Sequence, residues 1–312
     1  MSEFDDFQIE KTSSGKTVSR IGWSLVALMF FSQMGAAILA QICKRLLPAL
    51  VETSIYNFII NTIPIYCIGL PIFILIIKKV PKEKINEKSK LTIIQFIKFV
   101  TISFAAMYVF NLLGIFINLG ISILKGSHVI NPISNLLSKV NVFQTIIFVG
   151  IIAPVMEEVI FRKILLSRLR KFGDFFSIFL SALAFGMFHG NLYQFFYAFA
   201  LGCIFAYIVI KTGTIKYSII LHMIINLFGS VIMLKVGLMQ NIIVTTIVGL
   251  FVFIMIIAGI ALFFMNIKNV VLEKGSLNLT IKEQFGLMFG NFGMIVYSIM
   301  FILLVTIVII SK

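Results

Sequence analysis

The ionisable side chains in apolar surroundings are mainly Glu157, Glu158, Arg162, His189 and His222, and Asn226 joins them as a polar neighbour of His222. Of the twelve Asp and Glu residues, only Glu157 and Glu158 fall well inside an apolar run; Asp5, Asp6 and Asp174 belong to the N-terminal tail and a loop. His128 is in a loop, whereas His189 and His222 stand in apolar segments. A charge within a bilayer costs roughly 2.5–3.5 kcal/mol on insertion scales, which makes such residues functional candidates by default. A glutamate and a histidine facing a shared water form a hydrolytic pair, the carboxylate taking the proton from water. A second histidine with an amide beside it can donate hydrogen bonds to a developing oxyanion. Glu157, His189 and His222 could instead hold one zinc ion with an open water position. The sequence leaves both chemistries open.

Helical spacing sorts these residues by face. At about 100° per residue, Glu158 and Arg162 share a face and can pair as i,i+4, while Glu157 points elsewhere and is free to face a cavity. His222 and Asn226 also share a face, as do Phe185 and His189, so that the Phe185 ring can buttress the imidazole. Depth agrees. Counted from Lys171, Asp174 and Lys211, residues Glu157, His189 and His222 lie about 21, 22 and 16 Å along their helices. All three can meet at one level.

The elements that carry them are expected to cross a membrane. The chain has 312 residues, 60% of them hydrophobic and 12% charged, against about 25% charged in ordinary soluble domains. Its mean hydropathy is +1.09. Apolar runs long enough to span, roughly 20 residues, recur along it, and in lipid such runs must be helical. Nine are expected, at 21–42, 56–77, 98–123, 142–166, 175–189, 192–210, 215–234, 241–266 and 290–310, with eight the alternative count. The fold class is therefore all-α, a polytopic transmembrane helix bundle. Residues 1–20 are expected to form a cytoplasmic tail and 21–312 one integral membrane domain. The first apolar run is long enough to span and is expected to be retained. Gly186, Gly190 and Gly202 suit close helix approach. The cysteines Cys43, Cys67 and Cys203 show no CxxC pairing and suit packing.

The net charge of +14 does not mark a nucleic-acid binder. The basic residues cluster between apolar runs, as Lys78, Lys79, Lys82, Lys84, Lys88 and Lys90 do, followed by Arg168, Arg170 and Lys171. That is the distribution of cytoplasmic loops, not a basic face on a soluble domain. Alternating from loop 78–90 places the N-terminus, Arg168–Lys171, Lys211/Lys216 and the 267–289 segment on the same side. The 267–289 segment is expected to lie along the membrane surface. High Ile, Lys and Asn usage is of a bacterial kind. The expected partners are the lipid bilayer and a membrane-embedded or membrane-associated peptide or protein substrate.

Other intramembrane protease chemistries lack their residues: there is no HExxH, no GxSxG and no pair of membrane aspartates. Glu157-Glu158-Val-Ile-Phe-Arg162 resembles the EExxxR motif of the CPBP family, which includes the type II CAAX prenyl endopeptidases and many bacterial Abi proteins. Phe185-Gly-Met-Phe-His189 resembles its FxxxH motif, and His222-Met-Ile-Ile-Asn226 its HxxxN motif. The three stand in order on consecutive apolar segments, within a core of about 142–232. The resemblance implies an intramembrane endopeptidase in which Glu157 activates water with help from His189. His222 and Asn226 would stabilise the oxyanion, and Glu158, Arg162 and Phe185 would support the site. The family chemistry can be written with a divalent metal or without one. A non-catalytic immunity or regulatory protein on the same scaffold is the alternative reading.

Overall fold

Helices satisfy nearly every backbone group within one segment, which is what a chain largely out of contact with water requires. The computed structural model describes residues 3–83, 89–132, 141–277 and 279–311; Lys84 and Lys88 of the basic loop fall outside them. Ten helices organise it: α1 (Glu3–Leu46), α2 (Tyr56–Ile77), α3 (Ile93–Lys125), α4 (Val142–Phe172), α5 (Asp174–Phe188), α6 (Leu192–Thr212), α7 (Lys216–Met239), α8 (Ile242–Asn269), α9 (Ile281–Phe289) and α10 (Phe292–Ile310). Eight are long and apolar enough to cross a membrane, and α5 is a shorter apolar helix. The nine expected segments are all present, eight as full-length candidates. This is a multi-pass helical membrane protein.

Two expectations shift at their edges. The 1–20 segment is helical from Glu3 and continuous with the first span, with Ser14 and Val18 already buried. The 267–289 segment contains the short helix α9, begun by a capping box between Thr280 and Glu283, and an isolated antiparallel bridge between Gly173 and Lys274.

The loop alternation expected from charge has a physical counterpart. Glu83 N–H donates to the Ser167 carbonyl, Arg168 Nε to Ile77 O, Ser89 Oγ to Lys211 O, and Ser276 N–H to Lys171 O. These bonds gather the basic loops at one end of the bundle. At the other end Ser54 Oγ bonds the Gln144 amide and Tyr193 Oη bonds Val129 O.

Burial is uneven. α5 is enclosed, with eleven of its fifteen residues buried, whereas α8 leaves almost all of its apolar surface outward, as a lipid-facing helix does. One buried cluster draws on α1, α2, α4, α5 and α10, and a second on α3, α6 and α7. The seam between them passes through the six residues singled out above.

Among the described residues, four wide π-helical stretches interrupt the spans, at Ile65–Gly69, Ile146–Ile152, Val159–Leu166 and Leu227–Ile232. Such stretches concentrate at functional sites, and all four lie in α2, α4 and α7, the helices that surround the seam.

Candidate active site

α4 carries Glu157, Glu158 and Arg162. Arg162 is fully buried, the largest such side chain among the described residues. Its Nη1 lies 3.4 Å from Glu158 Oε1, an ion pair without good hydrogen-bond alignment, and its Nη2 donates to the Gly202 carbonyl at 3.3 Å. The guanidinium stands over the Phe185 ring at 4.4 Å and near those of Phe205 and Phe161 at 5.5 and 6.0 Å. Ring faces attract a desolvated cation. Gly202 makes the room: a Cβ there would come within 3.1 Å of Arg162 Nη2 and 3.0 Å of Ala182. The expected i,i+4 pairing of Glu158 with Arg162 is present, although Arg162 lies in a π-helical stretch.

His222, on α7, is held between the two carboxylates. Its Nδ1 lies 3.1 Å from Glu158 Oε1 and its Nε2 lies 3.5 Å from Glu157 Oε2. The ionised, Arg-paired Glu158 only accepts, so Nδ1 is the donating nitrogen. Nε2 is then the atom turned to Glu157. The chain Arg162–Glu158–His222–Glu157 thus runs from a sealed interior to a carboxylate whose side chain is 16% exposed.

His189 terminates α5. Its Nδ1 is 2.9 Å from the Phe185 carbonyl; since the carbonyl can only accept, Nδ1 carries the hydrogen and Nε2 holds the lone pair. The turn that follows is made by Gly190 at φ +64°, a left-handed conformation that glycine adopts without penalty. Asn191 then caps α6, accepting from Gln194 N–H and donating to His189 O. Gly190 serves the turn and also the expected close helix approach, since a Cβ there would meet Leu304 at 3.2 Å.

Phe185 meets both imidazoles edge-on, 5.0 Å from His189 and 5.7 Å from His222. With Arg162 on its face, this one ring touches three of the six residues.

Asn226 follows His222 by one turn, and its Nδ2 donates to the Val149 carbonyl at 3.0 Å. The reason lies in the adjacent π stretch of α4. Ala153 N–H bonds Phe148 O, five residues back, and the next residue is Pro154, which has no N–H. Val149 O is left without an intrahelical donor and takes one from α7. One Asn226 N–H is committed there and the second remains.

Glu157, His189, His222 and Asn226 line one cavity of about 320 Å³. Its other lining includes Met29, Gln33, Asn61, Tyr66, Gln194 and Tyr197. Among the described residues, no three His, Cys, Asp or Glu side chains are grouped so as to hold a metal ion. Glu157 Oε2 and His222 Nε2 stand 3.5 Å apart, His189 lines the same cavity, and Glu158 holds the other His222 nitrogen.

The sequence did not single out Phe205, Tyr66 or the Val149 carbonyl. Gly202 did carry a signal, as a small residue in an apolar helix.

Fold and site together define a polytopic helical membrane protein with a carboxylate–histidine centre inside its bundle. Residues 139–228 match the family described as Type II CAAX prenyl endopeptidase Rce1-like. The chain is also similar to a Bacillus subtilis (strain 168) protein named "Putative membrane peptidase YdiL", 34% identical over 91 residues. That match spans 29% of this chain and 37% of the relative, a little over a third of its length. No solved structure matches. These matches support a CPBP-family assignment for the central segment, and the similarity is to proteins described as membrane peptidases.

Proposed function

We propose that this protein is an intramembrane endopeptidase that hydrolyses a peptide bond with water activated by Glu157. The observation that carries the reading is the shared cavity: the half-open Glu157, the Nε2 side of His189 and the buried His222 line one space between the spans. A water there loses its proton to Glu157 as it attacks the scissile carbonyl. His189, its tautomer set by the Phe185 carbonyl, orients that water through Nε2. His222, anchored by Glu158 on Nδ1, carries a proton on Nε2 once Glu157 has delivered one. It donates that proton toward the oxyanion with the second N–H of Asn226, a contribution that grows as charge develops. The proton then leaves on the departing amine. Glu158 and Arg162 act as positioning residues.

The same reading places the protein in a bacterial cell membrane with its N-terminus and basic loops in the cytoplasm, by the distribution of Lys and Arg.

The test compares wild type with Glu157→Ala in the native cell by quantitative proteomics of membrane and secreted peptides. A fragment that depends on Glu157 is expected, with a fall of at least about 100-fold in the variant. No difference between two folded, abundant proteins would transfer the site to the non-catalytic immunity or regulatory role.

A further inference from the structure

The cavity has a second wall, and it lies outside the segment assigned to the family. α1 and α2 supply Gln33, Asn61, Thr62 and Tyr66 to the lining, while the family match covers 139–228. Polar side chains inside spans ordinarily serve as interhelical hydrogen-bonding glue. These do not. Among the described residues, the side chains of Gln33, Thr62 and Tyr66 have no hydrogen-bond partner, and Asn61 spends one N–H on Asn57 O of its own helix, at 2.7 Å. Asn61 keeps a free carbonyl oxygen and a second N–H, and Gln33 keeps its whole amide. Tyr66 and Glu157 line the same cavity, so this wall faces the reacting carboxylate.

A row of unspent amides and hydroxyls selects among ligands by chemistry. An extended peptide brings one N–H and one C=O per residue, and out of water each needs a partner. Side-chain amides, donor and acceptor at once, match that alternation. An isoprenoid chain has no such groups and would leave the wall dry and unpaired. The cavity volume, about 320 Å³, is at the small end of ligand pockets, about 300–1,000 Å³. It accommodates a short stretch of main chain beside Glu157.

We infer that α1 and α2 form the specificity wall of the site, on which Gln33, Asn61 and Thr62 hydrogen-bond the main chain of an extended, unprenylated peptide. The inference rests on the endopeptidase reading for what happens next to that peptide, but binding can be read without cleavage.

The experiment uses the full chain in detergent micelles with Glu157→Gln to stop turnover. The probes are a dye-labelled mixture of ten-residue apolar peptides with no lipid, and the same mixture carrying an S-farnesyl cysteine. Affinity is measured for Glu157→Gln alone, with Gln33→Leu and Asn61→Leu together, and with Thr62→Val. Circular dichroism and gel filtration confirm folding, and Gln33→Asn serves as the conservative variant. The unmodified peptides are expected to bind at least as tightly as the farnesylated ones. The paired leucine substitution should weaken them about tenfold, the loss of one to two hydrogen bonds, with Thr62→Val weaker in effect and Gln33→Asn close to the parent. Tighter binding of the farnesylated peptides, unchanged affinity in the leucine variant, or no binding of the unmodified peptides overturns the wall. Cleavage that is unchanged when the leucine substitutions are placed in the chain with Glu157 intact also overturns it, with the endopeptidase reading standing. Wall-dependent binding without any cleavage by wild type does the reverse: the wall stands and the endopeptidase reading falls.

Discussion

Two arginine–carboxylate pairs share a four-residue spacing and sit about three turns apart along one stretch of chain. Glu158–Arg162 lies in the middle of the bundle with neither side chain exposed. Arg170–Asp174 lies at the basic end, where Arg170 is 15% exposed and also approaches Glu273. The shallow pair fastens a loop: Asp174 Oδ2 accepts the Glu273 N–H, beside the Gly173–Lys274 bridge. The deep pair fastens nothing of the kind. It holds His222 by one nitrogen and is closed in by aromatic rings. Identical spacing therefore yields a clasp in one place and an electrostatic foundation in the other, and the surrounding medium makes the difference. Near water a lost charge is resolvated, whereas in the interior it leaves its partner stranded.

The contrast breaks most visibly at Arg162. Arg162→Ala leaves Glu158 buried and uncompensated and is expected to cost about 3–5 kcal/mol, read as lost yield and an earlier unfolding midpoint in detergent. Gly202→Ala pushes a methyl toward the guanidinium and Ala182 and should cost about 1–3 kcal/mol, as overpacked cores do. Asp174→Asn, at the shallow pair, is expected to cost about 1 kcal/mol. Its effect should diminish with added salt, because partly exposed charges are screened. The double change Glu158→Leu with Arg162→Met sharpens the comparison further. Removing both charges should leave the unfolding midpoint near wild type while cleavage is lost, since His222 is no longer anchored. A large fall in stability in that variant would show that the deep pair is structural first. Smallest of all, a chelator should leave cleavage unchanged; loss of activity restored by zinc would mean that Glu157, His189 and His222 rearrange to bind a metal.

The spans and the site residues could be read from the chain because their signals are local. Apolar length marks a membrane helix, and charge within it is costly enough that Glu157 and Arg162 stand out unaided. Depth could be estimated because rise per residue is nearly constant. What could not be read depends on contacts distant in sequence or on departures from that constancy. The partner of Asn226 is a carbonyl freed by the coincidence of a wide turn and Pro154 on another helix. The aromatic enclosure of Arg162 needs Phe205 from α6, forty-three residues away, and nothing in the local pattern distinguishes that ring from the other phenylalanines. The helical continuation of α1 back to Glu3 escaped because the polarity of 1–20 sets membrane entry, not where a helix begins.

A close backbone approach joins the first helix to the last. Gly22 and Gly293 meet backbone to backbone, with no room for a Cβ on either, and Gly293 N–H donates to Ser19 Oγ at 3.2 Å. Ribosomes make these two positions some 270 residues apart. α1, which bears Gln33 of the cavity lining, must therefore wait in the bilayer without its final neighbour until residue 293 has been translated.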